Sequence, residues 1–232
     1  MPEEISQTPY QFGPAEISEL AQNPEQRCPC VLLLDTSGSM SGNPIQQLND
    51  GLRAFKEELA ADALARKRVE LAVITFGPVK LESDFVTAEN FEPPTLTASG
   101  DTPMGAAIEM AIERVNRRKE LIRQTLGPMM CLRPWIWLMT DGGPTDDWKN
   151  AAAMVRAGDN DQRKAFSLFA VGVQGANMEI LSQISARPPV ALDGLRFRDM
   201  FVWLSSSLGG VARSQPNTKV TFLPPDWTSV TA

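Results

Sequence analysis

Four apolar residues, Val31 to Leu34, run straight into Asp35, and apolar side chains then return as Ile45, Leu48, Leu52, Phe55 and Leu59. The first pattern is a strand buried on both faces of a mostly parallel sheet. The second, with alternating steps of three and four, is one face of an amphipathic helix. Asn43-Pro44 opens that helix with an N-cap and a proline at the first helical position.

The alternation then repeats along the chain. Val69 to Phe76 is apolar and β-branched, and Gly77-Pro78 separates it from Val79 to Val86, where Val79, Leu81, Ser83 and Phe85 share one side. So tight a connection implies an antiparallel pair with the second strand at a sheet edge. Thr102-Pro103 repeats the cap signature ahead of a helix bearing Met104, Ile108, Ala111, Ile112 and Val115. Trp135 to Met139 is the next buried strand, Thr145 caps a helix reaching about Asp161, and Ala165 to Val173 is a further strand. Asn177 starts a short helix, Val190 to Leu192 forms a last short strand, and Phe197, Phe201, Leu204, Leu208 and Val211 mark the closing helix. Strands alternating with helices of this size predict an α/β fold, an open, doubly wound, mostly parallel sheet with helices on both faces. The polar, proline-bearing residues 1–27 read as an N-terminal arm, 28–215 as one domain and 216–232 as a C-terminal tail.

Composition removes several functions. The formal net charge is −6 with Lys and Arg scattered, which argues against a nucleic-acid-binding face. The short runs Arg66 to Arg68 and Arg117 to Lys119 read as solvated helix surface. The N-terminus carries acids where a signal peptide has bases, and no stretch approaches the roughly 18 apolar residues of a spanning helix, so the expected location is cytoplasmic with no membrane role. Cys28, Cys30 and Cys131 are too few for a disulfide framework, and the C-x-C lacks a second Cys or His pair, so all three read as reduced structural thiols. The 232 residues contain no histidine, which removes the commonest general base and the Ser-His-Asp and Cys-His nucleophile systems.

Three loops fall at the carboxyl ends of the strands, where doubly wound sheets bind ligands. In Asp35-Thr36-Ser37-Gly38-Ser39, alternation lets Asp35, Ser37 and Ser39 face one point, with Gly38 allowing the chain to curl. Ser99 to Pro103 brings Thr102, which as an N-cap would spend its hydroxyl on helix amides. Leu138 to Gly143 brings Asp141, followed by two glycines. Two carboxylates and three hydroxyls are hard oxygen donors of low total charge, suited to Mg²⁺ or Mn²⁺ and less to a closed Ca²⁺ cage.

DTSGS, GDTP and TDG, in this order and context, resemble the metal-ion-dependent adhesion site (MIDAS) of the von Willebrand factor A domain over about residues 30 to 213. The resemblance implies a six-stranded sheet of order 3-2-1-4-5-6, direct coordination by Ser37, Ser39 and, depending on state, Thr102, and contact through water from Asp35 and Asp141. It implies a non-enzymatic interaction module whose metal is completed by an Asp or Glu of a partner protein. The ending FRDMFVWLSSSLGGVARS is similar to the bacterial TerY-type group of cytosolic A domains, associated with tellurite resistance and stress. Two other readings stand beside this one. A Mg²⁺-dependent phosphoryl-transfer enzyme shares the layout but needs a second carboxylate where Ser37 stands, and a scaffold with an inactive site would keep the fold alone.

Overall fold

A computed structural model describes residues 10–214 and 226–228. Residues 1–9 of the expected arm, and all of the expected tail except 226–228, lie outside the described residues. Six strands form one sheet: β1 (Cys28–Asp35), β2 (Val69–Phe76), β3 (Lys80–Thr87), β4 (Trp135–Thr140), β5 (Ser167–Gly172) and β6 (Val190–Ala191). Their order is β3-β2-β1-β4-β5-β6, parallel except for the antiparallel β2-β3 pair. This is the architecture and strand order that the sequence resemblance implies.

The period of two in β1 divides the core. Leu32 and Leu34 face a cluster built with α2 (Asn43–Ala61) and α7 (Phe197–Arg213), whereas Val31 and Leu33 face α4 (Met104–Leu126), α5 (Lys149–Gly158) and α6 (Met178–Ile184). All four are fully buried, so truncating any of them to alanine removes packing on a face that has no solvent to relax into, at about 2–5 kcal/mol. On the first face Phe55 of α2 and Phe201 of α7 lie 5.3 Å apart, an approach that depends on Gly51, where a Cβ would stand 2.7 Å from the Phe201 ring.

The expected arm contains α1 (Pro14–Ala21), whose Leu20 packs on Leu121 and Ile122 of α4. The buried Arg27 holds the end of this helix, donating to the carbonyls of Leu20 (3.1 Å) and Asn23 (2.5 Å). A single-turn helix, α3 (Ala65–Arg68), leads into β2. Among the described residues no helix is long and apolar enough to cross a membrane.

Several local expectations shift. Asn43 is the first residue of α2 and Gly42, at φ 84°, is its N-cap. Thr145 does not cap α5, which begins at Lys149 with an amide bonded to Asp147 Oδ1 at 3.0 Å. The basic runs are only partly solvated. Arg66 and Lys67 are exposed, but Arg118 donates to both carboxylate oxygens of the buried Glu70, at 2.7 and 2.8 Å.

Candidate metal centre

The parallel strands end together, and the loops leaving them are knitted by backbone bonds. Thr36 N donates to Phe76 O (3.0 Å), Ser99 N to Thr36 O (2.7 Å), Gly38 N to Gly100 O (3.0 Å) and Val173 N to Thr140 O (2.8 Å). β1 therefore delivers Asp35 to a loop fixed from both sides.

Asp35 is buried, with 1% of its surface exposed. Its Oδ1 accepts the Ser37 amide at 2.8 Å, and its Oδ2 accepts the Thr140 hydroxyl at 2.5 Å. The Ser37 and Ser39 hydroxyls lie 3.0 Å apart, and Ser39 Oγ donates to Asp141 Oδ1 at 2.8 Å. Four of the five expected residues thus form one connected group. Burial pushes the Asp35 carboxyl above its ordinary value and the charge of Asp141 adds to this, against the opposing hydrogen bonds from Ser37 and Thr140.

Thr102 completes the edge without joining that network. It is buried, and its hydroxyl lies 3.9 Å from where a Cβ on Gly142 would stand. The expected N-cap role is not observed. α4 has Pro103 as its N-cap with no side-chain cap bond from its own flank. Its first amides are taken by Asp146 from the β4-α5 loop, Gly105 N at 2.9 Å and Ala106 N at 2.8 Å. A carboxylate at a helix N-terminus is favoured by the helix dipole, so Asp146 outcompetes a neutral hydroxyl and leaves Thr102 turned to the site edge. Reciprocal bonds between Thr102 and Thr145 (Thr102 N to Oγ1 3.1 Å, Thr145 N to Thr102 O 2.9 Å) fix the second loop against the third.

Sequence reasoning missed Thr140, Asp146, Gly77 and Gly105. Thr140 stands one residue before Asp141 and alternates with it across the strand end, so it was the one within reach. Gly77, at φ 137°, lies under the first loop, and a Cβ there would meet Ser37 N, Thr36 C and Ser99 O at 2.7 Å. Gly105 lets the β4-α5 loop approach α4, since its Cβ would stand 2.6 Å from Asp147 O. The chain curls at Gly38 into a 3-10 turn, Gly38–Met40, without a left-handed φ at that residue. Left-handed glycines flank the loop, at Gly42, Gly77 and Gly100.

The donor set is unusual for its lack of acids. Among the described residues no three Asp, Glu, His or Cys side chains gather as a metal-ligand group. The three thiols lie elsewhere, and burial raises them all, Cys131 to about 12.

A doubly wound sheet with two carboxylates and neighbouring hydroxyls at the strand ends places the chain in the class of α/β domains whose loops gather at the carboxyl edge of the sheet. The von Willebrand factor type A domain pattern matches residues 30–199, and the chain belongs to that family. Among solved structures it is similar to the pilus adhesin SpaC of Lactobacillus rhamnosus GG, with TM-score 0.62 and 13% identity over 80% of this chain and 30% of that one. It is also similar to proximal thread matrix protein 1 of the mussel byssus, with TM-score 0.53 and 15% identity over 79% of this chain and 48% of that one. The latter protein has been solved with a zinc-occupied MIDAS motif. At these identities the likeness is one of fold, and the chain spans less than half the length of either structure. No curated protein matches the sequence.

Proposed function

We propose that the chain is a non-enzymatic, metal-dependent protein-interaction module that binds a divalent cation at Asp35, Ser37, Ser39, Thr102 and Asp141 and receives an Asp or Glu of a partner protein on it. One observation carries this reading. Three acids are buried among the described residues: Glu70 and Asp159 each face two arginines, whereas Asp35 faces none. A buried carboxylate without a counter-charge is costly, and a cation from outside would relieve that cost.

The residues fit such an ion. Five oxygen donors of two types surround the edge, Ser39 is exposed, and the Thr102 hydroxyl is excused from capping its helix. Mg²⁺ or Mn²⁺ suits this hard, weakly charged set. When bound, the cation supplies an electrophilic position open to a carboxylate. Asp35 and Asp141 balance its charge, and Thr140 and the Ser37 amide hold Asp35 in place. In this reading residues 28–215 are the interaction domain, with 1–27 and 216–232 as its arm and tail. The finer assignment, to a cytosolic TerY-type module of a bacterial tellurite or stress system, rests on the ending FRDMFVWLSSSLGGVARS.

Calorimetric titration with Mg²⁺ and Mn²⁺ tests the site, and a pull-down from host extract with and without EDTA tests the bridge. Saturable binding that disappears in Asp35→Asn, with partners retained only in metal and by the wild type, is the expected outcome. Identical partners in every arm would sink the metal bridge, and no heat at millimolar metal would favour the inactive scaffold.

A further inference from the structure

The family match ends at Asp199 and the last helix at Arg213, yet Asp226, Trp227 and Thr228 return to the sheet. Trp227 is 1% exposed, and its ring meets Trp137 of β4 at 6.5 Å and Trp203 of α7 at 5.7 Å, both edge-on. The main chain is engaged as well. Asp193 N donates to Trp227 O at 2.9 Å, and Thr228 forms an antiparallel bridge with Leu192, just beyond the edge strand β6. Arg196 donates to Asp226 O at 2.6 Å and stands 3.8 Å from the Asp226 carboxylate.

Backbone pairing at an open edge, a pocket for one large side chain and a charge reading its neighbour are the parts of strand-addition peptide recognition. We propose that the edge formed by β6 and the start of α7 is a peptide-binding groove for an extended Asp-Trp-Thr segment, and that the chain's own residues 226–228 are its resident occupant. None of these residues belongs to the metal loops, and the groove does not depend on the proposal above.

Trp227 is part of the core cluster on this face, and two observations mark the segment as separable from it. The indole N–H groups of Trp227 and Trp137 are both buried with no acceptor among the described residues, so packing and not a side-chain hydrogen bond holds the Trp227 ring. The groove's walls also hold themselves in place. Arg196 is anchored by Asp199 at 2.7 Å, and α7 is seated on α2 through Phe201 and Phe55. Removing the segment therefore leaves a formed site.

The test uses the full chain carrying Trp227→Ala and a fluorescein-labelled peptide of residues 222–232, read by fluorescence anisotropy. The variant should bind the peptide saturably, and the intact chain at least about tenfold more weakly because its own tail competes. A peptide with alanine for tryptophan should not bind, and Arg196→Ala added to the variant should weaken binding. No saturable binding by a variant that keeps a cooperative melt overturns the proposal, as does equal binding of the peptide without tryptophan. Should Trp227→Ala fail to fold, a protease site inserted between Ser214 and Asp226 replaces it. After cleavage, a retained melt with exchange of the tail for labelled peptide supports the groove. Loss of the melt, or no exchange, overturns it.

Discussion

At the edge where the strands begin, Glu70 is fully buried, with Arg27 Nε 3.0 Å away and Arg118 closing on both oxygens. At the edge where they end, Asp35 is almost as deep, and its partners are an amide and a threonine hydroxyl. Asp159 sides with Glu70, since it sits at the strand-beginning edge, contacts Arg133 at 2.7 Å, pairs with Arg187 and accepts the Leu168 amide. The same price of dehydration is met by fixed cations at one edge and left open at the other. An edge with internal counter-charges stabilises the fold, whereas the edge without them is where the proposed cation would act.

The contrast can be broken most directly at Glu70. Glu70→Gln strands Arg27 and Arg118 inside the protein and should cost about 3–5 kcal/mol in urea unfolding. A loss under about 1 kcal/mol would mean that the triad is not a structural clamp. Asp159→Asn should cost less, about 1–3 kcal/mol, because Arg133 and Arg187 are 29% and 36% exposed and can rehydrate.

At the other edge, stability and binding should separate. Asp146→Ala removes the carboxylate that caps α4, at about 1 kcal/mol. The Thr102 hydroxyl then becomes free to turn toward the helix amides, so Mg²⁺ affinity should fall roughly 10- to 100-fold by calorimetry. Unchanged affinity would remove Asp146 from the site's support.

The smallest change in stability belongs to Asp35→Asn, within about 0.5 kcal/mol of wild type or slightly more stable without metal, yet with no rise in melting temperature on adding Mg²⁺. The sign of its pH dependence follows from a carboxyl raised in the folded state. The wild type's contribution is present below the unfolded value near 3.9 and lost as pH rises through the folded value. Asp35→Asn should abolish that loss in metal-free buffer. A variant as damaged as Glu70→Gln would erase the difference between the two edges.

How much of this was legible in the sequence depends on the span of each interaction. The strands holding Val31 to Leu34, Leu71 to Ile74 and Trp135 to Met139 were readable because burial on both faces demands unbroken apolar runs, and the antiparallel edge followed from the short connection at Gly77-Pro78. The loop from Asp35 to Ser39 was readable because its geometry is set by neighbours two positions apart. Thr102 was found at the strand-end edge, but its N-cap alternative could not be set aside from sequence, since the carboxylate that takes the helix amides comes from Asp146, over forty positions later. Arg118 looked solvated for the same reason, its partner Glu70 being 48 positions away. Local pattern reports what a residue can do alone, and these two act through partners that only the fold supplies.

The return of Thr228 to Leu192 has a consequence for life at high concentration. A sheet with free margins invites neighbours to extend it, and this one closes both. β3 carries Lys80, Glu82 and Asp84 and pairs with two register shifts, a poor template for another strand. β6 is only two residues long, and the tail lies across its exit. A chain trimmed after the last helix would keep its shape in dilute solution and gain a sticky seam, so storage behaviour rather than melting would report the loss first.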